Sequence, residues 1–211
     1  MGENIIIKDG SGQIEEKKSV FIANIKAVHN EEEAIKYIAE MKKKYWDAKH
    51  NCMAYIVGDL KRFSDDGEPS GTAGKPILDV LDGRNITNAV VVVTRYFGGV
   101  LLGTGGLVRA YQGATIEGLK NCVIAKKCVG ITAIVKTDYT GLGKIQYAAG
   151  SEQVSIMNIE YLDNVTIKIV CEEEKYNVFI NKVTEMTAGK ADISDVEKVM
   201  FYKSENGIEI L

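Results

Sequence analysis

The residues best suited to chemistry stand in one phrase, Thr94-Arg95-Tyr96-Phe97-Gly98-Gly99. An arginine that closes an apolar run beside two aromatics and a flexible backbone suits a planar or phosphate-bearing ligand, because a guanidinium forks onto phosphate oxygens and lies flat on rings. The same pattern fits an arginine paired with an Asp or Glu, and the residue types leave both readings open. A few positions on, Gly103, Gly105 and Gly106 lead into a helix whose free amides would point at an anion, with Arg109 just inside the first turn to join them. This string lacks the Lys-Ser/Thr ending of a P-loop, and a Gly-x-Gly-Gly string also marks tight turns.

Asp65-Asp66-Gly67-Glu68 concentrates carboxylates that could hold a hard divalent cation, but it lacks the spaced ligands of a calcium loop, and acidic turns are commonly just solvated. No metal and no cofactor is expected. His50 stands at a strand entrance, where it could act as a base or serve as a hydrogen-bonded structural residue. Cys52 is read as facing the other side of that strand, so no nucleophile is assigned to His50 and no catalytic residue is named. His29 has no partner at a recognisable spacing and is expected to be exposed and inert. Cys52, Cys122, Cys128 and Cys171 lie among apolar neighbours, away from zinc-ribbon or redox spacings, and read as reduced, mostly buried thiols.

These residues need elements to position them. Phe21, Ala23, Ile25 and Ala27 alternate over Ser19 to Ala27 as in a strand with one buried face. Asn30 and Glu33 form a capping box for a helix whose Ala34, Ile38, Met41 and Tyr45 share a face, with Glu32/Lys36 and Glu40/Lys44 pairs outside. Cys52 to Val57 reads as a strand, Ser64 to Gly74 as a polar loop, Pro76 to Leu81 as a short helix ended by Gly83, Asn88 to Tyr96 as a central strand, and about Leu107 to Leu119 as a helix. From Lys126 a pattern restarts: strands over Val129 to Lys136, Val154 to Tyr161, Val165 to Cys171 and Ala191 to Val199, with helices over Gly141 to Ala149 and Lys175 to Thr187. That βαββαβ order is the ferredoxin-like plan. Val178, Val183 and Met186 read as core of this half. The expected fold is α+β in two domains, 1–126 and 127–211.

Composition narrows the function classes. Hydrophobic residues make up 45% and charged residues 26%, which fits a globular chain rather than a disordered one. No apolar run approaches a membrane span, and Met1 to Ile6 lacks both a secretory layout and a myristoylation signal, so a cytosolic, membrane-free protein is expected. Net charge is −3, with 16 basic against 16 acidic residues through Ala125 and 10 against 13 after it. Nucleic-acid binding would therefore need a local patch.

Lys17-Lys18-Ser19-Val20-Phe21-Ile22-Ala23, His50-Asn51-Cys52-Met53-Ala54-Tyr55, Phe63 through Pro76, and Val91 through Tyr111 are similar, in this order, to the successive signatures of the IMPACT/YigZ family. The resemblance implies a first domain of the βα kind seen in domain IV of elongation factor G, and a second, ferredoxin-like domain akin to that factor's domain V, as in bacterial-type members. In eukaryotic relatives the shared domain follows a further module that competes for the activator of a starvation-sensing kinase and so regulates translation initiation; that module is not in this sequence. The leading expectation is a non-enzymatic regulator that binds RNA, the ribosome or a translation factor through Lys49, Lys61, Arg62, Lys75, Arg95 and Arg109, with Tyr96 and Phe97 for stacking and Gly105 and Gly106 beneath the anion. The alternatives are a small-molecule phosphate enzyme in which the Gly103 to Gly106 loop and Arg109 hold the phosphate while Asp65, Asp66 or Glu68 supplies a metal ligand or base, and a protein-interaction module. Oligomeric state is not read from the sequence.

Overall fold

Ala89 to Val93 has no polar alternate to turn toward water, and in the computed structural model it lies in a strand buried on both faces. The structure describes residues 3–204 and 207–210; Met1 and Gly2 of the chain start discussed above lie outside the described residues. The chain divides into two compact units, Met1–Lys126 and Lys127–Leu211. The first holds β1 (Asn4–Lys8), β2 (Gly10–Glu16), β3 (Ser19–Ala27), α1 (Glu31–Lys44), β4 (His50–Val57), β5 (Leu60–Ser64), α2 (Gly74–Gly83), β6 (Ala89–Tyr96), α3 (Thr104–Lys120) and the start of β7 (Val123–Thr137). The second holds the rest of β7, α4 (Tyr139–Ser151), β8 (Ser155–Tyr161), β9 (Val165–Glu172), α5 (Glu173–Thr187), β10 (Asp192–Ser204) and β11 (Gly207–Ile210).

In the first unit an antiparallel sheet runs β2-β3-β6-β4-β5, with β6 at its centre. One face packs Phe21, Ala23, Ile25, Cys52, Ala54, Val91 and Val93 against Ile77 and Leu81 of α2 and Tyr111 and Ala114 of α3. The other packs Tyr55 and Val90 against Ala34 and Ile38 of α1. Helices on both faces explain why β6 has no polar alternation. The α1 cap forms as its residues require: the Glu33 N–H donates to Asn30 Oδ1 at 2.9 Å, and Glu33 Oε2 accepts from the His29 N–H at 2.9 Å. His29 itself is exposed. Separately, β1 pairs antiparallel with the beginning of β7, Asn4 opposite Lys126.

The second unit follows the order βαββαβ with strands arranged β10-β7-β9-β8, and β11 pairs with β10. Its core sets Ala133, Val135, Ile167, Ile169 and Cys171 against Ile145, Ala148, Phe179 and Val183. Val183 is core and Met186 packs on it, but Val178 faces solvent; the neighbouring Phe179 takes the inward position instead. Cys52 and Cys171 are buried, and Cys122 and Cys128 are partly so. Among the described residues no helix is long and apolar enough to cross a membrane.

Candidate functional site

Register sets the site. On β6, Arg95 stands opposite Phe21 of β3 on one side and His50 of β4 on the other, so the three side chains form a row across the sheet's end, on the face covered by α2 and α3. The loop between β5 and α2 brings Glu68 onto this row. Glu68 Oε1 accepts from Arg95 Nη1 at 2.6 Å and from the Tyr111 hydroxyl at 2.8 Å, and His50 Nε2 stands 3.9 Å away. His50 Nδ1 donates to the Asp66 carbonyl at 2.8 Å, and this fixes the proton on that nitrogen. Arg95 is 6% exposed and Glu68 8%, so this is a buried ion pair. The Arg95 guanidinium also lies 5.4 Å from the Phe21 ring centre and 5.5 Å from that of Phe97, while its Nε is buried with no hydrogen-bond partner among the described residues.

Cys52 belongs to the same cluster, which corrects the expectation that it faces away from His50. Residues two apart on a strand share a face. The Cys52 thiol stands 3.0 Å from the Asp65 carbonyl oxygen and 3.3 Å from the Tyr111 hydroxyl. Burial pushes that thiol up to about 12 and raises the Tyr111 hydroxyl too, so both are protonated at neutral pH and Cys52 offers no thiolate.

The acidic loop serves the fold. Asp65 Oδ1 accepts from the Ala73 and Gly74 N–H groups at 3.0 and 2.8 Å, and Oδ2 from the Gly71 N–H at 2.8 Å, so it caps α2 from a distance. Asp66 accepts from Lys42 Nζ and the Asn51 N–H, each at 2.7 Å. With Glu68 held by Arg95 and Tyr111, all three carboxylates are engaged by protein donors, and among the described residues no group of three His, Cys, Asp or Glu is placed to hold a metal. Asp65, Asp66 and Glu68 each serve a contact within the fold. Burial pushes the Asp66 carboxyl up, but the hydrogen bonds from Lys42 and Asn51 and the Lys42 charge outweigh it and hold the group below its ordinary value. Its stabilisation is full above the unfolded carboxylate range and is lost as pH falls through the lowered folded value. Urea denaturation of Asp66→Asn is expected to show a deficit at about pH 7 that shrinks toward about pH 3.

The expected basic patch is only partly assembled. Arg95 is committed to Glu68, and the Tyr96 hydroxyl donates to Asp47 Oδ1 at 2.9 Å. Lys49 Nζ lies 5.8 Å from the Phe97 ring centre, and Phe97 is 46% exposed. Gly105 and Gly106 lie in the first turn of α3, and the Arg109 guanidinium comes 3.7 Å from the position a Cβ on Gly105 would take. Gly103, the α3 cap residue, provides no side-chain hydrogen bond. Lys61 and Arg62 are removed from the patch: they pair with Ile56 and Tyr55, at the opposite end of β4 from His50. Lys61 is also paired with Asp82, and Lys75 with Asp79 one turn along α2.

The Impact N-terminal domain matches residues 17–119, and a domain of unknown function, DUF1949, matches residues 135–190. IMPACT family member YvyE of Bacillus subtilis is 40% identical over 203 residues, 95% of this chain and 94% of that protein. This chain belongs to the IMPACT family. IMPACT family member YigZ of Escherichia coli is 33% identical over 187 residues, 86% of this chain and 92% of that protein. A crystal structure of a hypothetical protein superposes with a TM-score of 0.58 at 32% identity, over 93% of this chain and 98% of that one.

The Impact N-terminal match spans every residue of the buried cluster. At the same end of this IMPACT-family chain stand residues outside the expected patch. Trp46, the only tryptophan, is 82% exposed beside Asp47, the partner of Tyr96; Leu101 in the Gly-rich loop is equally exposed. Lys17 and Lys18 form the β2–β3 turn against Gly98. A lone tryptophan in a lysine-rich, polar stretch was the one available signal for Trp46.

Proposed function

We propose that this IMPACT-family chain is a non-enzymatic, cytoplasmic regulator of translation that contacts RNA, free or on the ribosome, through the exposed end of its first unit. The observation that carries the reading is the half-exposed Phe97 ring with the Lys49 ammonium beside it, at the start of the Gly-rich loop. Aromatic faces beside cations hold unpaired bases by stacking while the charges meet phosphates. The carboxylates that a phosphate enzyme would use are engaged by protein donors, which favours binding over turnover. Membership of the IMPACT family supports the link to translation that the resemblance implies. The same reading takes the first unit as a relative of elongation factor G domain IV and the second as ferredoxin-like, the latter supported by its βαββαβ order.

Co-sedimentation with ribosomes and with structured RNA tests the proposal over a salt series of roughly 50 to 200 mM. Wild-type binding is expected to fall with salt, and Lys49→Ala/Phe97→Ala is expected to weaken it roughly tenfold or more while remaining folded, because both side chains are on the surface. Failure of the folded wild type to bind either partner at the lowest salt would remove the reading.

A further inference from the structure

The β2–β3 hairpin closes at Glu16 opposite Ser19, leaving a two-residue turn made of Lys17 and Lys18. Both have positive φ, +47° and +65°. A two-residue turn with both central residues left-handed is type I′, whose usual occupants are Asn and Gly because other L residues are strained there. Here two lysines occupy it. The turn is pinned from outside: a Cβ on Gly98 would come 2.0 Å from the Lys18 carbonyl carbon, and the Gly98 N–H donates to Oγ of the fully buried Ser19 at 3.1 Å. Both lysines are exposed, and among the described residues neither has an ion-pair partner, although Glu15 and Glu16 precede them on β2. The turn that carries them is fastened to the backbone next to Phe97.

Asn-Gly would close this hairpin with less strain, so the turn itself does not call for lysine. A strained conformation kept by a surrounding clamp points to use of the side chains. Resting on the RNA reading above, we propose that Lys17 and Lys18 form a fixed contact for the phosphate backbone of single-stranded RNA whose bases stack at Phe97. Lysines act there as point charges, setting affinity and register rather than sequence.

The test compares wild type with Lys17→Asn/Lys18→Gly and with Lys17→Gln/Lys18→Gln. The readouts are thermal melting and fluorescence anisotropy with a labelled single-stranded oligouridylate over a salt series. The Asn-Gly variant is expected to melt about 3 °C or more higher, yet to bind roughly tenfold more weakly at low salt, with a log K against log salt slope shallower by about 1.4. The Gln-Gln variant, which keeps the strain, should lose the same binding with no gain in melting temperature. Wild-type binding matched by both variants, with an unchanged slope, would overturn this inference and leave the RNA reading standing. No wild-type binding to any RNA or ribosome would overturn both.

Discussion

Arg95→Ala is expected to cost roughly 3–5 kcal/mol of stability, measured by urea denaturation at neutral pH. Removing the guanidinium leaves Glu68 buried and charged, with only the Tyr111 hydroxyl as a close donor, and withdraws the cation from the Phe21 and Phe97 rings. The size comes from stranding a charge rather than from the worth of the pair. Arg95→Met combined with Glu68→Gln should therefore recover much of the loss. A loss near that of an ordinary surface substitution would show that the Arg95–Glu68 contact is not held in the folded protein. Arg95 substitutions are consequently poor probes of RNA contact, because weaker binding would follow from a damaged fold.

Gly98→Ala is the second large expectation. The added methyl would sit 2.0 Å from the Lys18 carbonyl carbon and 2.2 Å from its oxygen, and backbone cannot rotate away as a side chain can. Overpacking of this kind costs 1–3 kcal/mol where side chains give; here a loss of roughly 3 kcal/mol or more is expected, read as a fall in melting temperature. Placing the same substitution on the Lys17→Asn/Lys18→Gly background should not rescue it, since the obstructing atoms are main chain. Near-wild-type stability would mean that the β2–β3 turn and the Gly98 loop are not held in contact in solution.

The sequence revealed elements that bury a patterned face and hid those that exist through pairing. Alternation in Ser19 to Ala27, the Asn30 cap and the apolar run of β6 were legible because each is a local consequence of burial. Strands β2 and β5 passed unseen: Gly10–Glu16 and Leu60–Ser64 are short, largely polar edge strands that take their conformation from one neighbour's hydrogen bonds. Helix α2 begins at Gly74, ahead of the expected Pro76, because its cap is Asp65, far outside any local window. The site divides in the same way. That Arg95 pairs with an acid was one of two outcomes its residue type allows; that the acid is Glu68 depended on how a loop folds back. The shared face of His50 and Cys52 was within reach of strand alternation alone.

The Ser64 to Gly74 loop has a further consequence. Its composition is that of a flexible connector, yet Asp65 ties its far end to α2, Asp66 ties it to Lys42 and Asn51, and Glu68 reaches into the core. The conformational entropy of this segment is spent during folding, before any partner arrives. A ligand that meets this end of the molecule finds a surface already in shape, so association there carries little ordering penalty.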